Sequence, residues 1–399
     1  MDVKAIRQGS HVTQQFMADV LGISISYYRK IEKGDKPLTS ELKAKIEQSF
    51  FKKFDNYHKI IATIDYVNIR IQTLNVNEVI EKILGLKIEN FNLNDVTRYK
   101  YPFFLNYGHI NVYYHDKDEK AGVLIEMSGR ACRELEYEFE YHQNKKTWLD
   151  FFSYLIDYGK NKSPENDNFV KVTRFDLALD EQYNEKEGNF DLFRLLSAVR
   201  EGRWNGRKKS YAAILGGRKT SQGLINDGLS LYFGSKRTHL YFRFYEKDYE
   251  RAEQEKISVE AVRELYGLRN RYEIVMRKNV SNSFIHDFVD NLLDLAEEGV
   301  KIINDNLIFY DEEGDLDMAW YGLMGTLQAY HFTIQPEAPD VNSMFHWFEN
   351  GGPASTYLLL RKYDEMIGDN RLQEILESAE ITERNERILE QLEVIKGGK

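Results

Sequence analysis

Between Leu240 and Lys247 the chain alternates two kinds of side chain. Leu240, Phe242 and Phe244 fall on one parity, and Tyr241, Arg243, Tyr245 and Lys247 on the other. Neighbouring side chains of a strand point to opposite faces, so one face would carry a phenol between an arginine and a lysine. Those three groups suit attack on a phosphodiester: the cations hold the anion, and the phenol oxygen becomes the covalent link. A free tyrosine titrates near ~10 and is a poor nucleophile at neutral pH. Arg243 and Lys247 can supply charge-assisted contacts, and Lys247 favours the phenolate. A half-exposed antiparallel strand also has one apolar and one polar face, so this pattern does not decide by itself.

Three further strands show the same division. In Val123–Met127, Glu126 points away from Val123, Ile125 and Met127. In Val172–Asp180, Arg174, Asp176 and Asp180 oppose Phe175, Leu177 and Leu179. In Arg271–Met276, Arg271 and Glu273 oppose Tyr272, Ile274 and Met276. If these strands share a sheet, its open face holds Glu126, Asp176 and Glu273 beside Tyr245. Three hard carboxylates can bind Mg²⁺ or Mn²⁺, and such an ion would offset charge on a phosphate under attack. Ordinary solvated positions would give the same pattern. The nine histidines never form a His-hydrophobe-His pair, so any metal site is carboxylate-based. The single cysteine, Cys132, excludes a disulfide framework and a cysteine zinc site.

The elements that position these groups read as an α+β fold. Strands are expected at Thr63–Ile71, Tyr107–Tyr114, Gly122–Ser128 and Val170–Asp180. The stretch Leu229–Arg251 reads as two strands joined by a turn at Gly234-Ser235, and a last strand as Arg271–Arg277. Helices are expected at Val76–Leu84, Arg133–Tyr141, Trp148–Tyr158, Asp191–Glu201 and Ser258–Leu265. This implies a mainly antiparallel sheet with helices on one face, after an all-α N-terminal domain and before a helical C-terminal region. The expected domains are 1–55, 61–280 and 281–399, with a linker at Lys52–Lys59.

The first domain has a helix-turn-helix rhythm. Thr13 caps one helix, Gly22 permits the turn, Ser24 caps the second helix, and Pro37-Leu38 introduces another through Phe50. With its closing Ile31-Glu32-Lys33-Gly34 it resembles the lambda-repressor-like (XRE) class of DNA-binding domain. That resemblance puts the second helix in the major groove and makes Ser26, Tyr27, Arg29 and Lys30 the expected DNA contacts. A helical protein-docking module is the other reading. One such unit reads a short half-site, so it calls for a second subunit or a second DNA-binding domain.

The charge is divided along the chain. Residues 1–53 hold 10 Lys and Arg against 6 Asp and Glu, and residues 203–251 hold 11 against 4. Residues 281–399 hold 8 against 24. An anionic polymer would touch the first two regions and avoid the third. Arg207, Lys208, Lys209 and Arg237 lie in the second, where Gly, Trp and Tyr interleave with cations as in loops that grip phosphates and stack on unpaired bases. Leu372–Ile395 reads as an amphipathic helix, perturbed near Thr382, suited to packing or to a partner interface.

Together these residues resemble the Rep_trans family. Val172-Thr173-Arg174-Phe175-Asp176-Leu177-Ala178-Leu179-Asp180 is similar to its T-R-hydrophobe-D-L-A-x-D strand. Tyr232–Arg237 with Phe242–Lys247 is similar to its Y-x-G-x-R and R-[IF]-Y-[ND]-K elements, and Arg271-Tyr272-Glu273-Ile274 to its R-hydrophobe-E-hydrophobe strand. The family comprises rolling-circle initiators of small plasmids and the MobT-type relaxases of integrative conjugative elements. The resemblance implies that Tyr245 nicks DNA, leaving a 5′-phosphotyrosyl enzyme and a 3′-hydroxyl. It also implies a divalent metal held near Asp176 and Glu273, with Glu126 matching through a shorter motif. Glu246 stands where the plasmid initiators carry Asn or Asp, and little effect is expected from it. The fused helix-turn-helix favours a conjugative relaxase acting on duplex and single strands at an origin of transfer. A plasmid initiator or a non-catalytic regulator are the alternatives. A coupling protein, accessory DNA-binding proteins and a second copy are the candidate partners. No stretch approaches the ~18 apolar residues of a membrane span, so the expected place is the cytoplasm.

Overall fold

The structure, a computed structural model, describes residues 1–9, 12–46, 60–94, 99–220, 223–325, 345, 348–349 and 353–381. The expected linker Lys52–Lys59, the end of the helix reaching Phe50 and the stretch from Thr382 to Ile395 lie outside them. A first compact unit spans Met1–Ile334 and a second Gln335–Lys399.

The N-terminal helices α1 (Val3–Gly9), α2 (Gln14–Leu21), α3 (Ile25–Lys33) and α4 (Ser40–Ile46) form as their caps require. The Thr13 hydroxyl accepts from the Phe16 amide at 3.0 Å, and Ser24 accepts from Tyr27 at 3.2 Å. Gly22 takes the left-handed conformation between α2 and α3, at φ 64°. Phe16, Met17, Ala18, Leu21, Tyr28 and Ile31 make the buried side of this bundle.

Among the described residues the rest of the unit is built on one antiparallel sheet of ten strands, in the order β2-β3-β4-β5-β1-β6-β11-β10-β9-β8. These are β1 (Ile60–Ile71), β2 (Asn92–Asn94), β3 (Phe103–Tyr107), β4 (Ile110–Tyr114), β5 (Val123–Ser128) and β6 (Val170–Gln182). The others are β8 (Tyr211–Thr220), β9 (Gly223–Phe233), β10 (Leu240–Glu246) and β11 (Leu268–Arg277); the short β7 (Trp204–Asn205) pairs separately with β12 (Ile308–Phe309). Its apolar face is covered by helices. Phe152 of the helix Trp148–Lys162 meets Phe175 of β6 edge-on at 6.0 Å, and Phe284 of the helix Asn279–Asp290 lies 5.7 Å from the same ring. Each fully buried ring of this kind stabilises the fold by about 1.5–3 kcal/mol relative to exposure. Gly299, in the helix Leu295–Asn306, lets that helix approach closely: a Cβ there would stand 3.0 Å from a Leu179 methyl.

Several expected elements change. The span Tyr107–Tyr114 is a hairpin, β3 and β4, because Gly108 at φ 54° turns the chain. The basic stretch after Arg203 is largely strand: Tyr211–Thr220 pairs along Gly223–Phe233. The tyrosine strand ends at Glu246, and Lys247–Glu255 is a helix, so Lys247 to Arg251 are not strand as expected. Residues after Arg277 do not begin a separate body. Trp320, in the helix Met318–Met324, is fully buried against Phe244 and Tyr272 at ring distances of 5.6 and 5.7 Å. In the second unit the described residues include the helices Pro353–Ile367 and Arg371–Ser378.

Candidate functional site

On the sheet face opposite Phe242 and Phe244, antiparallel pairing aligns polar side chains in rows. Asp180 of β6 faces Arg271 of β11, which faces Tyr245 of β10, which faces Ser230 of β9. The adjacent row runs Ala178, Glu273, Arg243, Tyr232. The next runs Tyr66 of β1, Asp176, Val275, Tyr241. The expected sharing of one sheet face therefore forms, with Asp176, Glu273, Arg243 and Tyr245 on three adjoining strands.

This face is covered at the tyrosine, where an open one was expected. Tyr245 is only 2% exposed. The Arg243 guanidinium lies 4.0 Å from its ring centre, and Lys247 Nζ lies 3.4 Å from its hydroxyl oxygen. The start of the helix Lys247–Glu255 brings Glu250 over both cations, where its carboxylate accepts from Lys247 and, at 3.5 Å, from Arg243. Burial pushes the Tyr245 pKa well above its ordinary value, while Arg271 and Arg243 oppose that rise. The phenol thus lies beneath polar side chains, on the sheet face opposite Phe242 and Phe244.

The carboxylates are buried and are not solvated strand positions. Burial raises Asp176 to about 6, against the pull of Arg174, which donates to both its oxygens at 2.9 and 2.5 Å. Burial first, and then repulsion from Asp176 and Asp65, raises Glu273 to about 7. Asp65 is the residue sequence reading missed. A register shift between Ile64 and Tyr66 inserts it into β1, and its carboxylate meets Arg271 at 2.6 Å. Alternation along β1 gave no sign of it, since a bulge breaks the period on which that reading rests.

Glu126 does not join them. It sits on β5, across β1 from Asp176 and opposite Asn68, and its carboxylate accepts from three phenols: Tyr66, Tyr99 at 2.8 Å and Tyr113 at 3.0 Å. Among the described residues no group of three His, Cys, Asp or Glu side chains is disposed to hold a metal ion. Asp176, Glu273 and Asp65 nevertheless offer hard oxygens of the right type, and their mutual repulsion is what a divalent cation relieves. Arg174 and Arg271 now occupy the oxygens of Asp176 and Asp65.

A consequence is measurable. The folded pKa of Glu273 lies above its ordinary 4.5, so its ionised form costs stability above about pH 7 and little near pH 5. Glu273→Gln is expected to stabilise the protein by up to about 3 kcal/mol near pH ~8 and hardly at all near pH ~5. Thermal melts at the two pH values check this; equal shifts at both would show that Glu273 is not held ionised against its surroundings.

The expected DNA contacts fall into two groups. Ser26, Arg29 and Lys30 are exposed on α3, with Tyr27 partly buried, and Arg29 is steadied by Gln14 at 3.2 Å. In the basic stretch, Arg207 pairs with Asp305 at 2.9 Å, Lys208 donates to the Leu240 carbonyl at 2.8 Å, and Lys209 to Asn205 at 2.7 Å. Those three hold the fold locally as well as carrying charge. Arg237 is exposed at the β9–β10 turn.

A family described as Replication initiation factor matches residues 170–376, just over half of the 399 residues, and so takes in Asp176, Tyr245 and Glu273. The chain belongs to this family. That match is preceded by one to the rolling-circle replication initiation protein N-terminal domain at residues 61–154, and by a helix-turn-helix match at residues 3–55. The chain is 29% identical over 338 residues to a Bacillus subtilis (strain 168) protein provisionally named DNA relaxase NicK, covering 83% of this chain and 89% of that one. A rolling-circle replication initiator protein from Geobacillus stearothermophilus shares its fold, with a TM-score of 0.52 and 22% identity over 70% of this chain and 100% of the other. It is thus a DNA-binding protein of the rolling-circle initiator and relaxase type. Among the described residues no helix is long and apolar enough to cross a membrane.

Proposed function

We propose that this initiation factor is a conjugative DNA relaxase that nicks one strand at an origin of transfer through Tyr245. The observation that carries the reading is Tyr245 held beneath Arg243 and Lys247, on the same sheet face as the buried Asp176 and Glu273. α3 binds duplex DNA beside the origin. A single strand enters over β10 and β11, and Arg243 and Lys247 hold the scissile phosphate. The Tyr245 oxygen bonds to phosphorus as the bond to the 3′ oxygen breaks. The phenol gives up one proton and the departing 3′ oxygen takes one up, leaving a 5′-phosphotyrosyl link and a 3′-hydroxyl. The link keeps the phosphodiester energy, so the reverse attack reseals the strand. Asp176 and Glu273, with Asp65, would hold Mg²⁺ or Mn²⁺, which when bound supplies Lewis-acid stabilisation of the phosphate oxygens. Glu126 is left out of that set, because three phenols already take its carboxylate.

The relative named as a relaxase and the fused helix-turn-helix support the conjugative reading. The match to rolling-circle initiation domains supports a plasmid initiator with the same chemistry. The test is incubation with supercoiled DNA carrying the origin of the protein's own element. With Mg²⁺ or Mn²⁺ the expected product is open circles bearing protein at one 5′ end; with EDTA it is none. Free nicked ends would sink the tyrosine reading, and undiminished nicking in EDTA would sink the metal. Dependence of conjugation, rather than of plasmid copy number, on the protein separates the two roles.

A further inference from the structure

Glu250 occupies a place that the nicking reading leaves for the DNA. Its carboxylate lies against Lys247 and Arg243, two cations in contact with the Tyr245 ring or hydroxyl, and is itself a quarter exposed. The Arg243 Nε is buried with no hydrogen-bond partner, so the guanidinium holds a donor in reserve. Arg243 also reaches Glu273, but only at 3.8 Å. Other charged groups around the phenol are already committed: Arg271 is taken up by Asp180 and Asp65. An anion arriving from solvent therefore meets two cations whose common partner is one part-exposed carboxylate in the first turns of a helix.

We propose that Glu250 stands in for the scissile phosphate in the DNA-free protein and gates access to Tyr245. The proposal rests on the nicking reading above. A carboxylate and a phosphodiester each bring one negative charge, so their exchange leaves the charge over the phenol unchanged. A phosphate that makes no other contact gains little by the exchange. A strand that also stacks its bases and fits its backbone to the sheet gains enough to displace Glu250. The gate thus favours a bound, positioned strand over stray phosphates. In the DNA-free protein Glu250 also adds negative charge beside the phenol and holds its pKa up.

The test uses the full chain carrying Tyr245→Phe, so that binding is read without cleavage. Affinity for a fluorescent oligothymidylate strand is measured with Glu250→Gln added, and separately with Glu253→Gln, which removes the same charge from an exposed position on the same helix. Glu250→Gln is expected to tighten binding about fivefold, and Glu253→Gln to change it far less. With Tyr245 intact, Glu250→Gln should also move the rising limb of kcat/KM, which reports the DNA-free protein, to lower pH. Equal effects of the two substitutions, or weaker binding on removing Glu250 in a protein with an unchanged melt, would overturn the gate. Nicking that survives Tyr245→Phe would instead overturn the nucleophile and leave the affinity comparison standing.

Discussion

Tyr245→Phe is expected to abolish the covalent protein–DNA product and to cut the nicking rate by at least about 10⁴-fold, since it removes the oxygen that must bond to phosphorus. It should do so without harming the fold. Among the described residues the hydroxyl it removes has one weak hydrogen-bond contact, with Lys247 at 3.4 Å, and the ring that remains keeps its packing under Arg243. Duplex binding through α3 should stay as it was, because the substitution touches nothing in the first four helices. The control is Tyr232→Phe. Tyr232 shares the face, with Lys236 at 4.8 Å and Arg243 at 5.9 Å from its ring. It stands in the row of Glu273, one row away from Tyr245. Loss of the adduct in Tyr232→Phe and its survival in Tyr245→Phe would move the nucleophile. Mass spectrometry of the peptide that retains a nucleotide decides between them. Tyr241, whose ring packs 5.3 Å from Arg277, is the second control.

The parts of this site legible in the sequence are those set by local rules. Alternation placed Arg243 and Tyr245 on one face, Arg174 and Asp176 on another strand's polar face, and Glu273 on a third, and each side chain lies where its parity puts it. Caps did the same for α2 and α3, because Thr13 and Ser24 act within three residues of themselves. What was not legible depends on contacts between distant segments. Asp65 enters only because β1 and β6 slip past one another, and a bulge has no period. Lys247 followed the strand pattern by parity but begins a helix; it still reaches the phenol, yet Glu250 comes with it. The same turn of chain gives Glu246 a role that its apolar-side parity concealed. It is buried, takes Arg269 at 2.7 Å and accepts from the Leu229 amide at 2.9 Å. Glu126 kept its parity and lost its expected partners, since Tyr66, Tyr99 and Tyr113 come from β1, a turn and β4 to surround it. Pattern finds faces; it does not find neighbours across them.

Arg271 is where stability and chemistry meet, and Arg271→Met should unfold the protein more readily than any single change at the reacting groups. The guanidinium is 6% exposed and donates to both oxygens of Asp180, at 2.6 and 2.7 Å, and to Asp65 at 2.6 Å. Methionine fills much of the volume but leaves the buried Asp180 and the part-exposed Asp65 without their cation. Breaking such a pair from one side costs about 3–5 kcal/mol, more than the pair itself contributes, because the stranded charge carries the penalty. Arg271→Lys keeps the charge but loses the fork, so its loss should be smaller. The decisive comparison adds Asp180→Asn and Asp65→Asn to Arg271→Met. If stranded charge is the cause, the triple variant recovers a large part of the loss in denaturant melts, and single effects fail to add. If the triple variant melts no higher than Arg271→Met alone, the cost lies in packing and the ion network is incidental. Activity should not return with stability. Arg271 also draws the Tyr245 pKa down from where burial drives it, so the rescued protein is expected to fold and bind DNA yet nick slowly, with its rate still climbing at pH values where the wild type has levelled off.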